Sequence, residues 1–145
     1  METTIRKIKN HDKTIVIDMM REFYSSPAVF TNGSEEIFNN NLDACIENSP
    51  YLDGYVFTSN DEIVGYGMIA KSFSTEFGKP CYWIEDIYIK ENFRHNSIGK
   101  KFFNFVFSEY KNGIFRLEVE KENENAVKLY EKCGFTYLPY LEMKK

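Results

Sequence analysis

The strongest constraint on how this chain can fold is one change of hydrophobic period between residues 81 and 110. The run Cys81-Tyr82-Trp83-Ile84-Glu85-Asp86-Ile87-Tyr88-Ile89 reads as a strand dense in aromatic and β-branched residues. A short polar stretch follows it. Ile98, Phe102, Phe103, Val106, Phe107 and Tyr110 then recur at helical spacing, up to a stop at Asn112-Gly113. A strand that runs through a polar turn into an amphipathic helix belongs to an α/β layer, because each element offers an apolar face for the other to bury.

The same patterns place the remaining elements. Residues 3–9 read as a strand. Asp12 is the expected N-cap of a helix carrying Val16, Met19, Met20 and Phe23, and Ser34 of one carrying Phe38, Leu42, Cys45 and Ile46. The triplet Asn39-Asn40-Asn41 weakens that second helix by propensity. Residues 55–59 and 62–73 form a predicted hairpin about Asn60-Asp61. Alternation returns at 114–120. A last helix starts at Asn123, carries Ala126, Leu129, Tyr130 and Cys133 on one face and stops at Gly134, and a final strand is expected over 135–143. The predicted order is β-α-α-β-β-β-α-β-α-β, an α/β fold with a mixed central sheet flanked by helices. At 145 residues it is expected to be a single domain over 1–145.

Eighteen Lys plus Arg against 22 Asp plus Glu leave a net charge of −4. That balance provides no basic face for a phosphate backbone, so no nucleic-acid partner is expected, and it mildly favours cationic small molecules. No apolar run approaches the ~20 residues of a membrane span. The start, Met1 to Lys7, has no apolar signal-peptide core. The three cysteines form no Cys-x-x-Cys pair, and with two histidines they build no zinc site or disulfide framework. A reduced, cytoplasmic protein without a metal or membrane partner is expected.

The polar stretch Phe93-Arg94-His95-Asn96-Ser97-Ile98-Gly99-Lys100 sits where the strand gives way to the helix. Free amides of a first helical turn, small residues and the charges of Arg94 and Lys100 suit a phosphate group. Local sequence alone also fits a plain strand-to-helix turn capped by Ser97. One strand later comes Asn123-Glu124-Asn125-Ala126-Val127-Lys128-Leu129-Tyr130-Glu131-Lys132-Cys133-Gly134-Phe135. This segment resembles the Asn-x-x-Ala-x-x-x-Tyr-x-x-x-Gly-Phe pattern of the GNAT acyltransferase superfamily. Arg94 to Gly99 resembles that family's Arg-x-x-Gly-x-Gly loop, with Ser97 in place of the first glycine. Ser97 is expected within the first helical turn, its hydroxyl toward a pyrophosphate; a position needing positive φ would instead cost a non-glycine residue on the order of 1 kcal/mol.

The resemblance implies acetyl-CoA as cosubstrate. It implies that backbone groups of Ile87, Tyr88 and Ile89 pair with the pantetheine arm as an added strand would. It further implies that His95, Asn96, Ser97, Ile98, Gly99 and Lys100 hold the pyrophosphate, with Arg94 adding charge, and that Asn123 and Ala126 meet the pantetheine. Asn123 also suits a helix N-cap, and Ala126 plain helix packing.

Acyl transfer to an amine needs a base to deprotonate the ammonium and an acid for the departing thiolate. Spacing places Tyr130 inward, as a core aromatic would be; the resemblance implies that it is the acid. Alternation places Cys81, Trp83, Glu85, Ile87 and Ile89 on one face, so Glu85 sits in apolar company that raises its pKa and suits it as base. A bulge would shift the face and make Asp86 the alternative. The strand is also similar to the Leu-Glu-Asp-Phe-Phe-Val strand of the spermidine/spermine acetyltransferases, which implies Glu85.

The resemblance implies that the acceptor enters near the loop over 24–34, so Glu22, Tyr24 and Glu35, together with Glu85, are the expected contacts of a cationic acceptor. The chain thus reads as an acetyl-CoA-dependent N-acetyltransferase of a small amine. Polyamines, aminoglycosides, amino acids and protein amino groups all fit. A non-catalytic acyl-CoA-binding module is the contrasting reading, and Tyr130 and Glu85 count against it. A nucleotide-binding protein is the third, and it lacks the Lys-Ser/Thr ending of a P-loop. A homodimer covering the sheet edge near the tail is expected.

Overall fold

The computed structural model describes residues 2–145. Five strands, β1 (Thr3–Lys7), β2 (Leu52–Ser59), β3 (Glu62–Ser74), β4 (Lys79–Ile89) and β5 (Ile114–Leu117), form one sheet in the order β1-β2-β3-β4-β5. The first four are antiparallel neighbours, and β5 lies parallel to β4. The helices are α1 (Lys13–Tyr24), α2 (Glu35–Ile46), α3 (Ile98–Glu109) and α4 (Glu124–Lys132).

Period-two alternation along the strands divides the apolar side chains between two cores. Val16, Met19 and Met20 of α1 and Phe38 and Leu42 of α2 pack with Val56, Tyr66, Met68 and Tyr88 on one face. On the other, Phe102, Phe103 and Val106 of α3 pack with Phe57, Val64, Ile69 and Ile84. Gly67 sets how close α3 comes: a Cβ there would lie 2.5 Å from the Phe102 ring. The β2–β3 hairpin turns at Asn60 and Asp61, both at positive φ (50° and 65°), as a two-residue turn with right-handed strand twist requires.

Ser34 caps α2 as expected, its Oγ accepting the Ile37 amide at 3.2 Å. Asp12 does not cap α1. It closes a short 3-10 turn ahead of the helix, where its buried carboxylate accepts the Lys9 amide at 2.8 Å and the Arg6 guanidinium at 2.8 and 3.0 Å. That carboxylate therefore ties β1 to the entry of α1.

The expected order holds through α4, and the final strand over 135–143 is not formed. Pro139 removes a ladder donor in the middle of the run, and the segment leaves Tyr137, Leu141 and Met143 exposed. It is held at Tyr140, whose hydroxyl donates to Glu76 in the turn between β3 and β4.

Candidate active site

The site begins where two parallel strands part. β5 pairs with β4 only over Cys81–Ile84. From Glu85 to Ile89, β4 runs on with no strand among the described residues beside that edge. Peptide groups there face an open cleft bordered by the end of α1, the start of α3, and α4. A free strand edge can receive an extended ligand through backbone hydrogen bonds.

A β-bulge sits at the head of this edge. Across β3 and β4, Met68 pairs with Asp86 and Ile69 with Ile84, which leaves Glu85 as the extra residue. The bulge breaks the expected alternation. Ile84, Ile87 and Ile89 pack on the α3 side, whereas Tyr88 packs on the α1 side, so Glu85 does not share one face with Trp83 and Ile87. Glu85 opens onto the cleft instead. Although one side of it meets solvent, the surrounding walls desolvate its carboxyl and raise its pKa. The neighbouring charges of Asp86 and Glu142 act in the same direction.

Asp86 lies behind the bulge, 4% exposed. Its carboxylate accepts hydrogen bonds from Tyr66 at 2.8 Å and from Tyr24 at 3.0 Å. Burial pushes its pKa up to about 6, against the pull of the two phenols.

The start of α3 supplies an anion cradle. Its first intrahelical bond runs from the Lys101 amide to the Ser97 carbonyl, so the amides of Ile98, Gly99 and Lys100 have no partner within the helix. His95, Ser97, Ile98, Gly99 and Lys100 line the cleft, joined by Lys121, Lys128 and Lys132. Ser97 lies outside the first helical turn, contrary to expectation: it is the residue before α3, at φ +62°, and His95 is also left-handed at +64°. Two further residues of the loop are engaged locally. Arg94 reaches back to the Ile89 carbonyl at 2.8 Å and over the Tyr88 ring, still bordering the cleft. Asn96 bonds the Phe93 and Arg94 carbonyls, each at 3.2 Å, and is not among the residues that line the cleft.

The opposite wall is α4. Asn123 caps it, its Oδ1 accepting the Ala126 amide at 3.4 Å. Ala126, Leu129 and Tyr130 follow along the cleft. Tyr130 packs edge-on against Phe103 at 5.6 Å. Burial pushes its pKa to about 12, so the phenol stays protonated at neutral pH.

Glu22 and Tyr24 line the α1 side, and Glu22 accepts the Tyr88 hydroxyl. Glu35 does not join them, because Arg21 holds it in an exposed ion pair. Glu118 and Glu142, which the sequence reading did not single out, also line the cleft. Glu118 follows the paired part of β5, and Glu142 lies in the segment expected to be a strand. Their contact raises the Glu118 pKa. Among the described residues, no three His, Cys, Asp or Glu side chains gather as a metal site would require, and no helix is long and apolar enough to cross a membrane.

Known proteins resemble this chain in sequence and in fold. The sequence profile of the Acetyltransferase (GNAT) family matches residues 16–135. The thialysine N-epsilon-acetyltransferase of Sus scrofa is 37% identical over 75 residues, which cover 50% of this chain and 44% of that protein. The Mus musculus protein of the same name matches equally over 75 residues, so the matched stretch is less than half the length of these relatives. A possible acetyltransferase from Clostridium difficile 630 superposes with a TM-score of 0.82 at 20% identity, covering 99% of this chain and 96% of that one. An aminoglycoside N-acetyltransferase crystallised with CoA superposes at 0.79 with 10% identity, covering 99% and 94%. These two likenesses are of fold.

Proposed function

The chain belongs to the GNAT acetyltransferase family, and from that premise we propose that it transfers the acetyl group of acetyl-CoA to a primary amine of a small cationic acceptor. The observation that carries this reading is the unpaired β4 edge from Glu85 to Ile89, which leads to the free amides of α3. An extended arm with a diphosphate at one end suits that combination, and Lys100, Lys128 and Lys132 add positive charge where the phosphates belong. The names of the curated relatives and the acidic side chains at the other end of the cleft support an amine acceptor.

Acetyl-CoA supplies an activated acyl carbon and a thiolate leaving group; the rest falls to this chain's side chains. Backbone groups of Ile87 and the Ile89 amide face the open edge and hold the arm, whereas Tyr88 pairs with Tyr66 of β3 and the Ile89 carbonyl accepts from Arg94. Asn123 and Ala126 border the arm. Glu85, with its raised pKa, takes the proton that the acceptor's ammonium must lose, which frees the nitrogen lone pair to attack the thioester carbonyl. As the carbon–sulfur bond breaks, Tyr130 gives its phenolic proton to the departing sulfur. Glu22, Tyr24, Glu118 and Glu142 bring negative or hydrogen-bonding groups to the acceptor end.

The test is a panel of amines incubated with the protein and acetyl-CoA, with thiol release followed together with the mass of each amine. The panel holds thialysine, spermidine, an aminoglycoside, free amino acids and a lysine peptide. A gain of one acetyl group, matched by thiol release, is expected for a small cationic amine. Acetyl-CoA binding with no acetylated amine would favour a non-catalytic acyl-CoA-binding module.

A further inference from the structure

Glu85 is open to the cleft, whereas its neighbour Asp86 is 4% exposed at the cleft wall and hydrogen-bonded to two phenols. A buried carboxylate is costly unless hydrogen-bonded, and the donors here are Tyr66 of β3 and Tyr24 of α1. Tyr24 is the last residue of α1, and the loop lining that side of the cleft leads away from it. Its ring stacks edge-on with Phe23, which also packs against Tyr66 and Tyr88. The Tyr24 hydroxyl is one of two polar links from the end of α1 to β4, beside the Tyr88–Glu22 hydrogen bond, and it is the one that lands one residue after the bulge.

We infer that Asp86 is a positioning residue for the acceptor: clamped between Tyr66 and Tyr24, it fixes the α1 wall against the β4 bulge and so sets the placement of Glu85. This rests on the reading of Glu85 as the base. Two consequences follow. Loss of the Tyr24 link loosens the acceptor side and leaves the acetyl-CoA side intact. Loss of the Asp86 charge removes a like charge beside Glu85, and Glu85 then binds its proton less tightly. The titratable groups around Asp86 are Tyr24 from α1, Cys45 from α2, Tyr66 from β3, and Glu85 and Tyr88 from β4. Burial, the Asp86 charge and the Glu142 charge all raise Glu85, so the change in its midpoint between wild type and Asp86→Asn reads the Asp86 share.

The experiment combines carboxyl NMR titration with steady-state kinetics on the whole chain, for wild type, Asp86→Asn and Tyr24→Phe, with thialysine as the amine. In Asp86→Asn, the Glu85 midpoint is expected to fall by about half a pH unit or more. In Tyr24→Phe, which keeps the ring and its packing, the Asp86 midpoint is expected to rise because one stabilising donor is gone. The same variant is expected to raise KM for thialysine about fivefold, with KM for acetyl-CoA unchanged. A Glu85 midpoint unmoved by Asp86→Asn, or an equal rise in both KM values in Tyr24→Phe, overturns the inference. If wild type does not acetylate thialysine, that acceptor is refuted, and the two midpoints alone decide the role of Asp86.

Discussion

Tyr66 reaches across from β3 and donates a hydrogen bond to Asp86 at 2.8 Å, so a carboxylate, not an apolar side chain, sits beneath the bulge of β4. Its burial carries a pH-dependent penalty. The folded-state pKa, about 6, lies above the ordinary 3.8, so the native state favours the protonated form. Stability from this group is therefore complete below the ordinary value and is lost as pH rises through about 6. Asp86→Asn stays neutral throughout. Its thermal stability relative to wild type is expected to improve from pH ~4 to pH ~8, by on the order of 2 kcal/mol. Melting curves across that range check this, and a constant difference would contradict it.

Glu85→Gln removes the proposed base without changing its size. We expect kcat/KM at neutral pH to drop about a hundredfold and the acidic limb of its pH profile to vanish. In wild type that limb should lie above the ordinary carboxylate range, because burial and neighbouring carboxylates raise the Glu85 pKa. A limb that survives in Glu85→Gln would assign it to another group.

Ser97→Gly should stabilise the protein. The left-handed conformation of Ser97, at φ +62°, strains an L-residue by about 1–2 kcal/mol, and the greater freedom of glycine when unfolded returns part of that gain. A net stabilisation of about 0.5–1 kcal/mol is expected by denaturant unfolding. The backbone amides of the cradle stay in place, so acetyl-CoA affinity should remain within about threefold of wild type. A tenfold loss would show that the hydroxyl itself binds.

Far from the cleft, Asp53 joins three strands and a helix terminus. Lys7 and Lys71 each approach it at 2.9 Å, and Tyr110 donates to its other oxygen while meeting Tyr55 at 2.6 Å. Tyr110→Phe leaves that oxygen and the Tyr55 hydroxyl short of a partner in a buried setting. A loss of about 1–3 kcal/mol is expected, with kcat unchanged. Denaturant unfolding alongside an activity assay separates the two effects.

Much of this architecture was legible from the period of the apolar residues. Val16, Met19 and Met20, and Phe102, Phe103 and Val106, fall on buried helix faces as their spacing predicts. Asn123 and Ser34 cap the helices they were expected to cap. The misses arise where backbone geometry departs from ideal without a mark in composition. A bulge adds one residue to a strand and reverses every side chain beyond it, so alternation alone put Glu85 beside Trp83 and Ile87. Ser97 looked like an ordinary helix start because serine often caps helices, and its left-handed φ leaves no trace in the letters around it. Residues 135–143 alternate well enough to suggest a strand, but Pro139 interrupts the donors. Asp12 stands where a cap belongs, yet the guanidinium of Arg6, six positions earlier, draws its carboxylate toward β1.

The most direct test of transfer in this cleft compares wild type with Tyr130→Phe at saturating acetyl-CoA and the best amine of the panel, with the acetyl-CoA Kd measured in parallel. Amine-dependent thiol release in wild type, at least tenfold slower in the variant with Kd unchanged, is the expected result. Equal release by both proteins would remove Tyr130 from the chemistry. No amine-dependent release from wild type, whichever amine is offered, would contradict the reading of the cleft as an acetyl-transfer site.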